Sequence, residues 1–184
     1  RHIGEPQALR AHLQLLQYNA FIARAAGMTF ELHIAGDKSS PWFRRFTRRL
    51  AVPLRQQVSG DIGERMLFAS RRNPGTDGVG NSASIIIGSD CGDLSVDYLM
   101  QAATQLQDAP VVLGAAEDGG YVLIGQQQPF DSLFCGIDWG TDSVARCTRE
   151  RAAQSGLAVT ELPLQWDVDG VADWRRWQRQ MDDR

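Results

Sequence analysis

Asp90 has the residue type and position expected of a ligand for a divalent cation. It comes two residues after 84–88, a continuous apolar run predicted to be a strand buried on both faces. Ligands of open α/β sheets bind beyond the carboxyl ends of strands, where Asp90 is expected to lie. Mg²⁺ and Mn²⁺ prefer such oxygen ligands, often one or two carboxylates completed by phosphate and water. An Asp here is also a common N-cap, so capping of the helix predicted near Leu94 remains an alternative.

A second acidic pair, Asp167 and Asp169, is separated by a single valine. Alternate residues of an extended segment share a face, so both carboxylates are expected to project together. One of them would complete a two-carboxylate cation site with Asp90. The alternative is again capping, because a helix is predicted just after Gly170 and acids stabilise the start of a helix.

Two other segments combine polar side chains with glycines. In Glu117-Asp118-Gly119-Gly120-Tyr121 the paired glycines allow a close approach of backbone to ligand, but Asp-Gly also signals an ordinary hairpin turn. Spacing alone favours the hairpin, which can still carry a functional Asp. Residues 56–66 combine a strand end, a glycine-bearing loop and a helix start, whose N–H groups suit an anion or a base edge. The alternative for Asp61 is a cap at the start of this helix. This segment has neither P-loop spacing nor a lysine.

Composition and charge exclude several kinds of partner. Nineteen basic and 22 acidic residues give a net charge of −3, which does not indicate a nucleic-acid surface. No apolar run reaches the roughly 20 residues that cross a bilayer, and Arg1 opens a polar segment unlike a signal peptide. Three cysteines without a C-x-x-C pair predict reduced thiols and a cytoplasmic protein. Cys91 is interpreted as packing, and the three histidines as surface or core residues.

Helices and strands are predicted to alternate through residues 1–184, as in a single α/β domain with helices on both faces of an open sheet. The connection between the strands at 110–115 and 121–125 is too short for a crossover helix. It therefore predicts one antiparallel element in a mostly parallel, mixed sheet. Residues 73–82 are rich in Gly, Asn and Asp and predict a loop. The other predicted strands are 30–34, 52–57, 84–88 and 157–162, and the predicted helices are 5–26, 42–49, 60–72, 94–106, 141–155 and 171–181. Thr141 is expected to cap the helix at 141–155.

Five segments occur in a recognisable order: Gly60-Asp61-Ile62-Gly63-Glu64-Arg65-Met66, Gly88-Ser89-Asp90-Cys91, Glu117-Asp118-Gly119-Gly120-Tyr121, Trp139-Gly140-Thr141 and Asp167-Val168-Asp169. Together they resemble a bacterial family of glycosyltransferase-A-like proteins long catalogued as a domain of unknown function. Its relatives include nucleotidylyltransferases that make molybdopterin-linked and deazaflavin cofactors. The resemblance covers nearly the whole chain and implies a three-layer α/β/α nucleotide-diphospho-sugar transferase fold.

The resemblance also implies roles for individual residues. Asp90, with Asp169 or Asp167, would bind Mg²⁺ or Mn²⁺, which would hold the diphosphate of a nucleotide sugar. Asp118 would face the sugar or acceptor as the general base that activates an acceptor hydroxyl. The other implied nucleotide- or sugar-binding residues are Gln57, Gly60, Asp61, Gly63, Arg65, Ser89, Glu117, Gly119, Gly120, Trp139 and Thr141.

The sequence departs from the family pattern at two places. Gly92 stands where the family usually has Pro, which is expected to loosen the loop without moving Asp90. Similar proteins open with a strand and a basic, glycine-bearing loop that clamps the nucleotide phosphates. This chain begins at Arg1, where that loop would already have ended, so the first strand and its phosphate loop are missing from the expected fold. Either an N-terminal segment is omitted from the sequence, which the lack of an initiator Met favours, or this form lacks half of its phosphate site.

Three functions remain open from the sequence. The first is a metal-dependent glycosyltransferase that uses a nucleotide-diphosphate sugar and an unidentified acceptor. The second is a nucleotidylyltransferase that acts on a phosphorylated acceptor, with its metal in the same place. The third is a non-catalytic binding or assembly module, whose tryptophans would form an interface. A core position is favoured for these tryptophans, and the oligomeric state is not predicted.

Overall fold

The computed structural model describes residues 5–72 and 83–183. The predicted loop at 73–82 and the start of the chain at Arg1 therefore lie outside the described residues. A short 3₁₀ turn, Asp131–Phe134, follows β5 and was not predicted. The elements are α1 (Glu5–Ala25), β1 (Leu32–Ile34), α2 (Pro41–Leu50), β2 (Leu54–Gln56), α3 (Ile62–Ser70), β3 (Ser84–Ile87), α4 (Val96–Asp108), β4 (Val111–Ala115), β5 (Tyr121–Gln126), α5 (Val144–Gln154), β6 (Val159–Glu161) and α6 (Val171–Asp182).

The described strands form two sheets. β1 and β2 make a parallel pair, and the other four lie in the order β3-β5-β4-β6. The predicted antiparallel element is confirmed, because β4 and β5 pair antiparallel. β5 also runs antiparallel to β3, whereas β4 and β6 are parallel. The sheet is mixed, but its parallel share is smaller than expected, because β5 inserts between β3 and β4 and opposes both.

Two apolar clusters on opposite faces of the four-stranded sheet confirm the three-layer arrangement. On one face, Leu99 and Ala102 of α4 and Ala23 of α1 pack against Val112 and Leu123. On the other face, α3, α5 and the 3₁₀ turn contribute the second cluster, in which Val111 and Ile124 are fully buried. None of the described helices is long and apolar enough to cross a membrane. The side chains that form the second cluster's buried centre are Val111, Leu113, Ala115, Ile124, Leu133, Phe134, Ala145 and Ala152.

β3 is less buried than the strand buried on both faces that was predicted for this apolar run. All four of its residues are only half-buried, while every residue of β4 is buried. β3 is the end strand among the four described ones, so it is covered by a neighbouring strand on the β5 side alone. Its isoleucines still face both apolar clusters, which explains the continuous apolar run.

The tryptophans divide between buried and half-buried positions. Trp166 and Trp177 are buried, which confirms the core interpretation for these two. Trp174 is half-buried and stacks on Trp177 with ring centroids 4.9 Å apart. Trp42 is half-buried, stacks on Phe46 and belongs to the cluster around α2.

Candidate functional site

Three aspartates from two separate segments bring their carboxylates together. Oxygen atoms of Asp118, Asp167 and Asp169 all lie within 4.8 Å of one another, and we call these three residues the carboxylate cluster. Asp118 lies in the turn between β4 and β5, and the other two follow β6 and precede α6. Asp118 and Asp169 are exposed, and Asp167 is half-buried. The cluster therefore offers an all-oxygen donor set that opens to solvent, as Mg²⁺ and Mn²⁺ prefer.

The β4–β5 turn fixes the direction of Asp118. The Gly120 N–H donates to Asp118 Oδ1 over 2.8 Å. Gly119 has a φ of +91°, and a Cβ added to it would lie 2.0 Å from the Asp142 carbonyl oxygen, so only glycine fits. The Ala145 N–H also donates to the Gly119 carbonyl over 2.9 Å. The hairpin is confirmed, and it presents an aspartate to the cluster.

The loop after β3 lies beside the segment that carries the two late aspartates. Cys91 and Asp167 form an antiparallel bridge, and the Val168 N–H donates to the Asp90 carbonyl over 3.0 Å. Asp90 does not cap α4, because Ser95 does so by accepting from the Tyr98 N–H. The predicted neighbourhood of Asp90 and the late pair is therefore present. The tight group, however, contains Asp118 in the place that was predicted for Asp90.

Mutual repulsion and burial act on the late pair. Burial, with the charges of Asp118, Asp169 and Asp90, raises the pKa of Asp167 from 3.8 to about 6. Burial also raises the pKa of Asp169, and the charges of Asp90 and Asp118 add to this. No cationic side chain of the described residues lowers either pKa. A divalent cation would relieve this repulsion, so the residues present fit such an ion.

Asn19 of α1 binds the backbone on both sides of Asp90, and it was not among the predicted site residues. Its side chain is 2% exposed, and Nδ2 donates to the carbonyls of Ser89 and Cys91 over 3.1 and 3.2 Å. The neighbouring Tyr18 hydroxyl donates to the Leu94 carbonyl over 2.8 Å. A sequence signal existed, because Asn19 is a single polar residue on the apolar face of α1. Its partners, about 70 positions away, were not predictable from that signal.

Two glycines shape the Asp90 loop by close approach. A Cβ at Gly88 would lie 2.6 Å from Asp90 Oδ1, so the carboxylate folds back over the backbone of Gly88. A Cβ at Gly92 would lie 2.6 Å from the Trp166 ring, and the Gly92 N–H donates to the Trp166 carbonyl over 2.8 Å. The expectation that Gly92 loosens the loop is therefore wrong, because this residue is buried and hydrogen-bonded. Cys91 is fully buried, and burial raises the pKa of its thiol to about 12, which confirms packing.

A pocket of about 130 Å³ adjoins Asp90 and Asp169. Its walls include Leu15 and His12 of α1 and Trp174 of α6. His12 was interpreted as an ordinary surface or core residue, and no motif indicated this position. The pocket is smaller than the roughly 300–1,000 Å³ of typical ligand sites, so it suits one end of a substrate.

The residues predicted in the 57–65 segment have local structural roles. Asp61 caps α3, as its alternative interpretation predicted, by accepting from the Glu64 N–H over 2.8 Å. Gln57 donates through its backbone N–H to the Ile34 carbonyl over 2.9 Å and thereby extends the β1–β2 pairing. Gly60 precedes this cap, and Arg65 is half-buried on α3.

The remaining predicted residues lie at the turn or beside it. Gly63 lies against Trp139, since a Cβ there would be 2.6 Å from the indole ring. Thr141 was expected to cap α5, but Ser143 is the residue before that helix, and Thr141 instead donates to the Asp138 carbonyl over 2.8 Å. Glu117 forms an exposed, two-hydrogen-bond ion pair with Arg176 of α6. Of the predicted residues, only the acids Asp90, Asp118, Asp167 and Asp169 thus share a site, with Ser89 next to Asp90.

Comparison with known proteins gives a family and a structural relative. The model of a family described as "Uncharacterized protein conserved in bacteria (DUF2064)" matches residues 19–141, more than half of the chain. A search of curated proteins gave no match. A crystal structure from Desulfovibrio desulfuricans G20, provisionally assigned as a nucleotide-diphospho-sugar transferase, superposes with a TM-score of 0.76. It is 27% identical, and the match covers 98% of this chain and 86% of that one. The chain therefore belongs to the bacterial family DUF2064 and has the fold of the nucleotide-diphospho-sugar transferases.

Proposed function

We propose that this protein is a metal-dependent glycosyltransferase that moves a sugar from a nucleotide-diphosphate donor to an acceptor. The observation that carries the proposal is the carboxylate cluster, whose three aspartates converge within 4.8 Å of one another. The provisional assignment of the Desulfovibrio protein as a nucleotide-diphospho-sugar transferase supports the class of donor. The fold supports the location, because the Asp90 loop leaves the carboxyl end of β3, where ligands of open α/β sheets bind.

Asp118, Asp167 and Asp169 would hold the divalent cation, and Asp90 would add negative charge beside them. When bound, such a cation would offset the charge that builds on the leaving diphosphate. The raised pKa of Asp167 supports this, because its carboxylate lacks a compensating cation among the described side chains. Mg²⁺ commonly binds through one or two carboxylates plus substrate phosphates, so the cluster together with a donor diphosphate would supply enough oxygen ligands.

Asp118 was expected to be the general base, and its position supports two roles, that of a general base and that of a cation ligand. One carboxylate oxygen accepts from the Gly120 N–H, and the cluster brings Asp118 against the late pair. We propose that Asp118 is primarily a cation ligand, because its carboxylate can reach the same ion as those of Asp167 and Asp169. The small pocket beside Asp90 and Asp169 would then receive the sugar or acceptor end of the substrates.

Product analysis tests the reaction class. The protein is incubated with Mn²⁺ or Mg²⁺ and a panel of nucleotide sugars, and released nucleoside diphosphate is measured. Nucleoside diphosphate release is expected to depend on the cation and to be lost in Asp169→Asn. The matched control is Asp108→Asn, which removes a carboxylate at the last residue of α4.

Other outcomes would redirect the proposal. Pyrophosphate release from a nucleoside triphosphate, without turnover of any nucleotide sugar, would favour the nucleotidylyltransferase. The absence of any nucleotide-dependent stabilisation in a thermal shift panel with Mn²⁺ would instead favour the non-catalytic module.

A further inference from the structure

Helix α2 carries a strip of four arginines on its solvent side. Arg44, Arg45, Arg48 and Arg49 follow the spacing i, i+1, i+4, i+5, which places them on one face of a helix. All four are exposed. The helix contains no acidic residue, and none of the carboxylates in the described ranges lies within salt-bridge distance of these guanidinium groups.

The end of α1 extends this strip. Arg24 is exposed, and its Nη1 donates to the Leu50 carbonyl at the end of α2 over 3.1 Å. Phe21 is 43% exposed, and the Arg49 guanidinium lies 5.8 Å from the centre of its ring. We call the four α2 arginines with Arg24 and Phe21 the α2 arginine face.

The charge of this face contrasts with the charge of the whole chain. With the exposed Lys38 that precedes α2, it holds six of the 19 basic residues, although the protein carries a net charge of −3. The remaining surface is therefore more acidic than the average. An anionic surface would attract this face and repel the rest, which gives a defined orientation.

The other side of α2 is already used for packing. Phe46 and Leu50 are 6% and 4% exposed and contact Leu16 and Ala20 of α1. This side is therefore not available for deep insertion into a lipid or for a groove on a partner. A partner of the α2 arginine face must be recognised by its charge, at the level of the guanidinium groups.

We propose that the α2 arginine face docks the protein on an anionic membrane surface. Exposed arginines can bind lipid phosphates in the headgroup region of a membrane, and an aromatic ring beside them can lie at the same depth. A single-stranded nucleic acid would instead require a groove lined with stacking rings, and the face is one open helix side with a single exposed ring. Docking is peripheral and electrostatic, because none of the described helices can cross a bilayer.

Vesicle flotation tests this proposal independently of the reaction at the carboxylate cluster. The protein is mixed with phosphatidylcholine vesicles with and without phosphatidylglycerol, at low and high salt. Binding is expected only to the anionic vesicles, and it falls as salt rises. Because each basic residue near such a surface contributes about a fivefold factor, Arg44→Glu with Arg48→Glu is expected to reduce partitioning by about 25-fold or more.

The control variant makes the same charge change elsewhere. Arg175→Glu with Arg179→Glu alters two exposed arginines of α6 and is expected to bind the vesicles almost as the unchanged protein does. Equal binding to neutral vesicles, or equal loss in both double variants, would overturn the proposal. Stronger binding to an RNA competitor than to anionic vesicles at equal phosphate would also overturn it.

Discussion

Replacing Asp167 with asparagine is expected to stabilise the metal-free protein at neutral pH. The ordinary pKa of this carboxyl group is 3.8, and burial, with the charges of Asp118, Asp169 and Asp90, raises it to about 6 in the fold. The folded protein therefore binds more protons than the unfolded chain between these values. The free energy of unfolding falls as pH rises from about 4 to about 6, and above that range the ionised carboxylate lowers it by a constant amount. The asparagine amide has the same shape and no charge, so the substitution removes this destabilisation.

The structure gives the size of the effect. The difference between 3.8 and about 6 corresponds to about 3 kcal/mol for a fully buried group. Asp167 is only half-buried and has two exposed partners, so solvent screening reduces the gain to about 1 kcal/mol. For a domain of this size, that gain raises Tm by about 2–4 °C.

Thermal unfolding in the presence of a chelator measures the gain. The Asp167→Asn variant and the unchanged protein are compared near pH 7.5 and near pH 4, with Asp108→Asn as the control. The gain is expected near pH 7.5 and is expected to vanish near pH 4, where the unchanged protein already carries the proton. A loss of stability near pH 7.5 would contradict this prediction, because it would show that the ionised Asp167 carboxylate stabilises the fold as a hydrogen-bond acceptor.

Three further substitutions test the site, and Tyr18→Phe is the control for one of them. Asp118→Asn is expected to lower Mn²⁺ affinity at least about tenfold in a paramagnetic resonance titration, as replacing residues that support a metal site does. Unchanged Mn²⁺ affinity with lost turnover would instead indicate that Asp118 is the general base. Asn19→Leu removes two hydrogen bonds next to Asp90, so it is expected to lower the free energy of unfolding in urea by about 2–3 kcal/mol and to weaken Mn²⁺ binding. The control Tyr18→Phe is expected to lower the free energy of unfolding by about 1 kcal/mol and to leave Mn²⁺ affinity unchanged. Equal Mn²⁺ affinities in the two variants would contradict a positioning role for Asn19. Gly92→Ala is expected to cost about 1–3 kcal/mol, because its methyl group meets the Trp166 ring, and an unchanged unfolding midpoint would show that the ring moves away freely.

Features set by short-range chemistry were predictable from the sequence. The Asp61 cap was predicted because an aspartate before a helix accepts from the N–H groups of the first turn. The antiparallel β4–β5 pair was predicted because five intervening residues cannot form a crossover helix. In both cases the interacting groups lie a few positions apart.

Features set by the tertiary arrangement were not predictable. An apolar run such as β3 indicates contact with two layers, but its degree of burial depends on its place in the sheet. Asp118 joins Asp167 and Asp169 because a turn after β4 reaches the segment after β6, and no spacing encodes that approach. The sequence therefore identified the acids of the site but not which three lie closest together.

The central hypothesis is that the carboxylate cluster holds a cation and that this cation binds the donor diphosphate. Calorimetric titration tests it, with Mn²⁺ and a nucleotide-diphosphate sugar added alone and together. We expect Mn²⁺ to bind the unchanged protein and the matching nucleotide sugar to bind tightly only with Mn²⁺. Asp169→Asn is expected to lose both effects, and Asp108→Asn is expected to keep them. Nucleotide-sugar binding that is equally tight with a chelator, or Mn²⁺ binding that survives in Asp169→Asn, would contradict a cation-held donor at the carboxylate cluster.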